Sequence, residues 1–217
     1  MPFGWLILAF SITLNLLVLF YLWRSSSAIK YRSIGLFCIA QLVLIAADYA
    51  ASTFTSRDTY TRTYWLNDII AHMFISLVIV ALIRAALEEY PQFRWAPTAL
   101  FLGVLVVAAV SLIVFQNPRI PRWINPVSRN LSLTEEALNL VLWALLLRRQ
   151  QFDVQLLLLS AGMVMQVTGE VIGLTLRPYT NATTIWVPNL LVQFSELLCL
   201  GIWIWALRYR PRQHVGT

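Results

Sequence analysis

Seven runs of predominantly apolar residues dominate this sequence and leave little chain between them. They fall at 3–23, 33–52, 64–83, 96–115, 131–147, 154–176 and 185–207. A helix rises about 1.5 Å per residue, so roughly 20 residues cross the hydrocarbon of a bilayer. Segments of this kind can cross only as helices, because a helix satisfies its own backbone hydrogen bonds. Charged residues make up 12% of the chain, where a soluble domain carries about 25%. The expectation is an all-α integral membrane protein, a seven-transmembrane-helix bundle in which residues 1–217 form a single domain.

The distribution of positive charge orients the bundle. With seven spans, Arg24, Lys30, Arg32, Arg84, Arg94, Arg148, Arg149, Arg208, Arg210 and Arg212 share one side, and Arg57, Arg62, Arg119, Arg122, Arg129 and Arg177 the other. The richer side is expected to face the cytoplasm, which places the N-terminus outside and the C-terminus inside. The first run has no basic residue before it and exceeds the apolar core of a signal peptide, so it reads as a span. Trp5, Trp65, Trp123 and Trp186 fall near outer ends, and Trp23, Trp95, Trp203 and Trp205 near inner ends, as in an aromatic belt. The chain reads as a multi-pass protein of a plasma or inner membrane, with the lipid bilayer as its first partner.

The net charge of +6 does not point to nucleic acid. Lys30 is the single lysine, and the arginines stand at the ends of apolar runs rather than in a basic patch with interleaved aromatics. Cys38 and Cys199 lie inside apolar runs and read as small buried side chains. Prolines 118, 121 and 126 make the segment 116–130 read as a stiff outer loop. Asn130-Leu-Ser132 and Asn181-Ala-Thr183 match the glycosylation acceptor pattern on that same side.

Ionisable groups in hydrocarbon cost several kcal/mol unless paired or wetted, so each one inside a span is a candidate site residue. Asp48, Asp68, His72, Glu136, Gln166, Glu170, Gln193 and Glu196 lie roughly 15–24 Å above the inner ends of their runs, at 1.5 Å per residue. Gln41 and Asp48 are seven apart; Asp68 and His72 are four apart, as are Gln166 and Glu170; Glu136 and Asn139 are three apart, as are Gln193 and Glu196. Each pair shares a helix face. Polar stripes on five helices at one depth can avoid lipid only by facing one another. The expected pocket opens outward and holds Asp48, His72, Glu136, Asn139, Gln166, Glu170, Gln193 and Glu196. The first and fourth spans carry nothing of this kind beyond Asn15 and read as peripheral.

Several of these residues also admit a structural role. Asp68 suits the first turn of a helix. Glu135 completes a capping box with Ser132 and reads as structural. Glu170 sits in Gly169-Glu-Val-Ile-Gly173, a small-residue motif for close helix packing. Glu196 stands mid-span with no cationic side chain at its depth. Asp48, Glu136, Glu170 and Glu196 cannot all be ionised in a medium of low dielectric constant, so protons or a bound cation must neutralise them.

The topology resembles that of the rhodopsin-like receptors and retinal proteins, but the residues depart from both. Retinal needs a lysine in the last span, and Lys30 lies in a loop, so retinal is not expected as cofactor. Span three ends Ile83-Arg84-Ala85 without the acidic-Arg-aromatic triplet, and span seven lacks Asn-Pro-x-x-Tyr. Pro91-Gln92 lies in a loop beside Glu88 and Glu89, unlike the intramembrane pair of the seven-span PQ-loop carriers. Spans three and seven each open with Trp and close on Ala-Leu and Arg, which permits a three-plus-one-plus-three repeat.

The leading expectation is a receptor- or sensor-like protein that binds a small cationic or hydrogen-bonding molecule. A proton- or cation-coupled carrier is the alternative. A metal-dependent membrane enzyme using Asp68 and His72, or a subunit of a larger complex or oligomer, comes behind both. The residues name no reaction, and binding is favoured over catalysis.

Overall fold

The computed structural model describes residues 2–25, 29–88, 90–114, 120–148, 153–181, 184 and 186–208. Among them are seven long helices and no strand: α1 (Pro2–Arg24), α2 (Arg32–Phe54), α3 (Arg57–Ala86), α4 (Ala96–Val114), α5 (Ile120–Arg148), α6 (Val154–Leu176) and α7 (Trp186–Arg208). Single 3-10 turns at Pro91–Phe93 and Arg177–Tyr179 precede α4 and follow α6. All seven helices are long and apolar enough to cross a membrane. Large apolar side chains such as Leu6, Phe10, Val43, Leu102, Ile113, Leu140 and Phe194 stand on the outer surface, a coat suited to lipid rather than water.

Each helix packs on the next in sequence, and α7 closes the ring against α1. α3 also touches α5 and α6, which makes it the centre of the bundle. It is the most buried helix, and α1 and α4 are the least. The apolar core around α3 includes Ile75, Ile79, Leu82 and Ile83 with Leu142 of α5 and Leu156 and Leu159 of α6.

Local chemistry sets several helix ends. Ser56 caps α3 by accepting from the Thr59 N–H, and Asp153 caps α6 by accepting from the Leu156 N–H at 3.0 Å. Asp153 also receives Lys30 Nζ at 3.0 Å, which ties the α1–α2 connection to the start of α6. Lys30 lies outside the helices. Burial pulls its pKa down, but the Asp153 hydrogen bond and neighbouring negative charges outweigh that and hold it above 10.5. Burial and the Asp153 charge push the neighbouring Tyr31 up to about 12.

The α6–α7 seam is the closest packing in the molecule. A Cβ on Gly169 would stand 2.3 Å from Ser195 Oγ, one on Gly173 2.4 Å from Val192 Cγ2, and one on Gly162 2.8 Å from the Trp203 ring. The glycines therefore set the approach of two backbones, as the Gly169–Gly173 spacing predicts. Trp203 is wholly buried, donates Nε1–H to the Leu159 carbonyl at 3.0 Å and meets Phe37 edge-on. It belongs to the core, not to the aromatic belt expected of it. Trp5, Trp23, Trp95, Trp186 and Trp205 are exposed near helix ends. The Trp123 side chain lies outside the described residues. Cys38 and Cys199 are free and buried.

Four expectations are overturned here. Residues 120–130 of the expected outer loop are helical, because α5 runs from Ile120 and includes Pro121 and Pro126; residues 115–119 lie outside the described residues. Pro121 stands in the first turn, where its missing N–H would have had no partner, so it need not stop the helix; Pro126 lies in the second turn, and the helix continues through it. Ser132 is consequently far inside α5, and the expected capping box with Glu135 does not exist. Asn130 likewise sits within the helix and donates to Ser111, so it is no loop acceptor for a glycan. Asp68 too lies three turns into α3, not in its first turn.

Candidate functional site: a buried histidine between two glutamates

The buried face of α5 carries Val127, Ser128, Leu131, Ser132, Glu135, Leu138, Asn139 and Leu142. Its polar members follow one another by four, three and four residues, which keeps them on one side of a helix. That side is turned to α3, whose Tyr64, Asp68, His72 and Ser76 are each four apart. The two polar lines meet. Asp68 accepts from Ser128, His72 Nδ1 lies 3.1 Å from Glu135 Oε2, and Ser76 donates to Glu135 Oε1 at 3.1 Å.

α6 completes the group. Glu170 Oε2 lies 3.8 Å from His72 Nδ1, and Gln166 Nε2 donates to Glu170 Oε1 at 3.2 Å. One side-chain atom from each of His72, Glu135 and Glu170 falls within 4.8 Å of the other two. His72 and Gln166 are almost wholly buried, and Glu135 is wholly so. Three helices thus place one imidazole and two carboxylates in the centre of the bundle. Among the described residues there is no lysine or arginine in ion-pair contact with them. Two acceptors in this group lack a hydrogen-bond donor, Gln166 Oε1 and Glu170 Oε2, and both amide atoms of Asn139, one turn from Glu135, lack partners.

The other polar residues form separate groups. Asp48 accepts from Asn67 Nδ2 at 2.7 Å and lines an open cleft of about 330 Å3 with Trp5 and Leu8 of α1, Ser52 of α2 and Tyr60 of α3. Glu136 turns away from Glu135 and accepts from Thr168 of α6 at 3.3 Å. Glu196 accepts from Ser11 of α1 at 2.8 Å, and Ser11 and Asn15 are buried beside it. The first helix, expected to be peripheral, therefore supplies the partner of the most isolated carboxylate. Gln193 stands on the exposed face of α7, since three residues turn a helix by about 60° short of a full circle.

Of the eight residues expected to line one pocket, His72, Gln166 and Glu170 are brought together, and Asn139 stands a turn from Glu135 on the same face. Asp48, Glu136 and Glu196 belong to three other helix contacts. Glu135, assigned to a cap by its spacing from Ser132, is the member that sequence reasoning missed. The four-three-four spacing of Ser128, Ser132, Glu135 and Asn139 was the signal that could have found it. Of the Asp68–His72 pair, His72 alone belongs to the three converging side chains, and Asp68, one turn earlier on α3, is held by Ser128.

No protein-family model, curated protein or solved structure matches this chain. Fold and site define a seven-helix bundle of membrane-crossing dimensions built around a buried histidine–dicarboxylate centre.

Proposed function

We propose that this is a multi-pass membrane protein, N-terminus outside, that binds a small cation in its interior and works as a receptor or sensor rather than as a carrier. The observation that carries this reading is the placement of His72 between Glu135 and Glu170, three groups whose two negative charges two protons or one divalent cation would neutralise and a monovalent one would halve. A structural histidine needs one carboxylate partner, and here two converge on it.

One-sidedness favours sensing over transport. The polar line on α3 runs from Tyr64, which has Arg177 as a neighbour, through Asp68 and His72 to Ser76. Beyond Ser76 the buried residues of α3 are all apolar: Val78, Ile79, Val80, Leu82, Ile83, Ala85 and Ala86. A carrier needs polar access from both sides of its site, and on α3 the buried polar groups stop at Ser76, about two-thirds of the way along the helix. By the charge rule, the polar half faces outward, in a plasma or inner membrane.

The test is the thermal unfolding of the purified chain across roughly pH 5–8, where histidine ordinarily titrates, repeated with added metal ions and organic amines. The expected result is a midpoint that moves with pH or with one class of cation, and that moves less in His72→Gln. A midpoint indifferent to all of them, in wild type and variant alike, overturns the reading.

A further inference from the structure

We infer that His72, Glu135 and Glu170 are the protein ligands of a divalent transition-metal ion of the zinc class, which rests on the cation-binding reading above and narrows it to one kind of cation. The two glutamates are held in the same way. Each has its Oε1 tied by a donor, Ser76 of α3 for Glu135 and Gln166 one turn earlier on α6 for Glu170, and each presents its Oε2 to His72 Nδ1. That is how outer hydrogen bonds orient ligating carboxylates.

The distances suit the ion. Bonds of about 2.0–2.2 Å to zinc in tetrahedral array set neighbouring ligand atoms roughly 3.3–3.6 Å apart. The two separations from His72 Nδ1, 3.1 and 3.8 Å, lie on either side of that interval. All three ligand atoms fall within 4.8 Å of one another, so a small inward adjustment places one ion in contact with each.

Charge and unfilled valence point the same way. A neutral imidazole with two carboxylates carries two negative charges, which one divalent ion cancels in a medium where net charge is costly. The buried atoms without donors inside the group, Gln166 Oε1 and Glu170 Oε2, are both oxygens. Gln166 is 1% exposed, and its bond to Glu170 fixes which end of its amide is oxygen. An ion at the centre takes the Glu170 oxygen directly. A water in its fourth position would donate to Gln166. Imidazole among the ligands selects zinc, cobalt, nickel or iron over magnesium and calcium, and three protein ligands leave one position open.

The experiment uses the full chain in detergent micelles, stripped with a chelator and kept monodisperse. Zinc is titrated calorimetrically, and Co2+ is followed by its visible absorption, with Mg2+ as control. The expected result is one Zn2+ per chain, a Co2+ spectrum of low coordination number and no response to Mg2+. Glu170→Gln keeps the shape of the side chain and is expected to weaken Zn2+ by more than tenfold. Ser76→Ala is expected to weaken it about tenfold through loss of orientation. No stoichiometric Zn2+ or Co2+ in a folded wild type, or equal binding in Glu170→Gln, overturns the metal assignment. If metal binding fails while the unfolding midpoint still shifts with pH through His72, the cation is a proton and the broader reading stands. If both fail, both fall.

Discussion

His72 of α3 and Glu135 of α5 stand 63 residues apart in the chain and bring Nδ1 and Oε2 to 3.1 Å in the centre of the bundle. Neither side chain has water to fall back on. Removing one member of a buried pair costs about 3–5 kcal/mol when the other is left uncompensated. Glu135→Leu takes away the nearer partner of His72 and the acceptor of Ser76 but leaves Glu170 at 3.8 Å, so it is expected to lower the unfolding midpoint by less than that full amount implies. Glu135→Gln, which can still accept from Ser76, should do so less. Equal midpoints for wild type and Glu135→Leu would show that the pair holds nothing together.

The α6–α7 seam gives a prediction with a built-in control. A Cβ at Gly169 meets Ser195, whereas a Cβ at Gly201 on α7 meets nothing within 4 Å. Gly169→Ala should destabilise by about 1–3 kcal/mol through overpacking. Gly201→Ala should be neutral or stabilise by roughly 0.5–1 kcal/mol, since alanine is the better helix former. Denaturation of the two variants side by side reads the difference, and a reversed order would contradict the packing.

Ser11 and Glu196 join the first helix to the last at 2.8 Å. Hydrogen bonds between membrane helices contribute about 0.6 kcal/mol on average and up to about 1.7. Ser11→Ala should cost an amount in that range. Restoring a donor with Ser11→Thr should recover part of it. Proteolysis of α1 in detergent micelles offers a second readout, with faster cleavage expected in Ser11→Ala.

Alkaline pH is expected to loosen the end of the bundle where α1 joins α2. Tyr31 and Lys30 both hold their protons more tightly folded than unfolded, because burial pushes the phenol up to about 12 and Asp153 holds the ammonium above 10.5. The stability they contribute is intact below about pH 10, the ordinary phenol range. It is lost as pH climbs through the raised values. For Tyr31 a shift from 10.0 to about 12 corresponds to about 2–3 kcal/mol. Tyr31→Phe should remove that part of the decline between pH 10 and 12, as followed by near-ultraviolet circular dichroism. An identical alkaline profile would refute the assignment.

Apolar run length made all seven helices legible in the sequence, because the requirement to cover hydrocarbon acts on every span. It did not reveal where the helices begin. α3 starts at Arg57 and α5 at Ile120, well before their apolar stretches, since a helix continues past the depth at which apolar residues are needed. That error propagated to the site. Ser132 and Glu135 have the spacing of a capping box, and the same spacing inside a longer helix is one polar face. The stripes on α3 and α6 were readable because their apolar neighbours leave the polar positions conspicuous. Which stripes would face which was not, since equal depth does not fix rotation. Gln193 and Glu196 share a stripe, yet one is exposed on the outer face and the other reaches Ser11.

Glu170 lies between Gly169 and Gly173, and that position has a mechanical meaning. The glycines leave no clearance against Ser195 and Val192, so α6 can neither slide nor roll without carrying α7 along. The backbone that carries Glu170 is therefore one side of a two-helix shaft, α6 and α7 together. The shaft reaches Trp203 and ends at Arg208, which rests over the Tyr21 ring of α1. A shift of the α6 backbone at the depth of the histidine would thus be shared by the helix whose end meets α1.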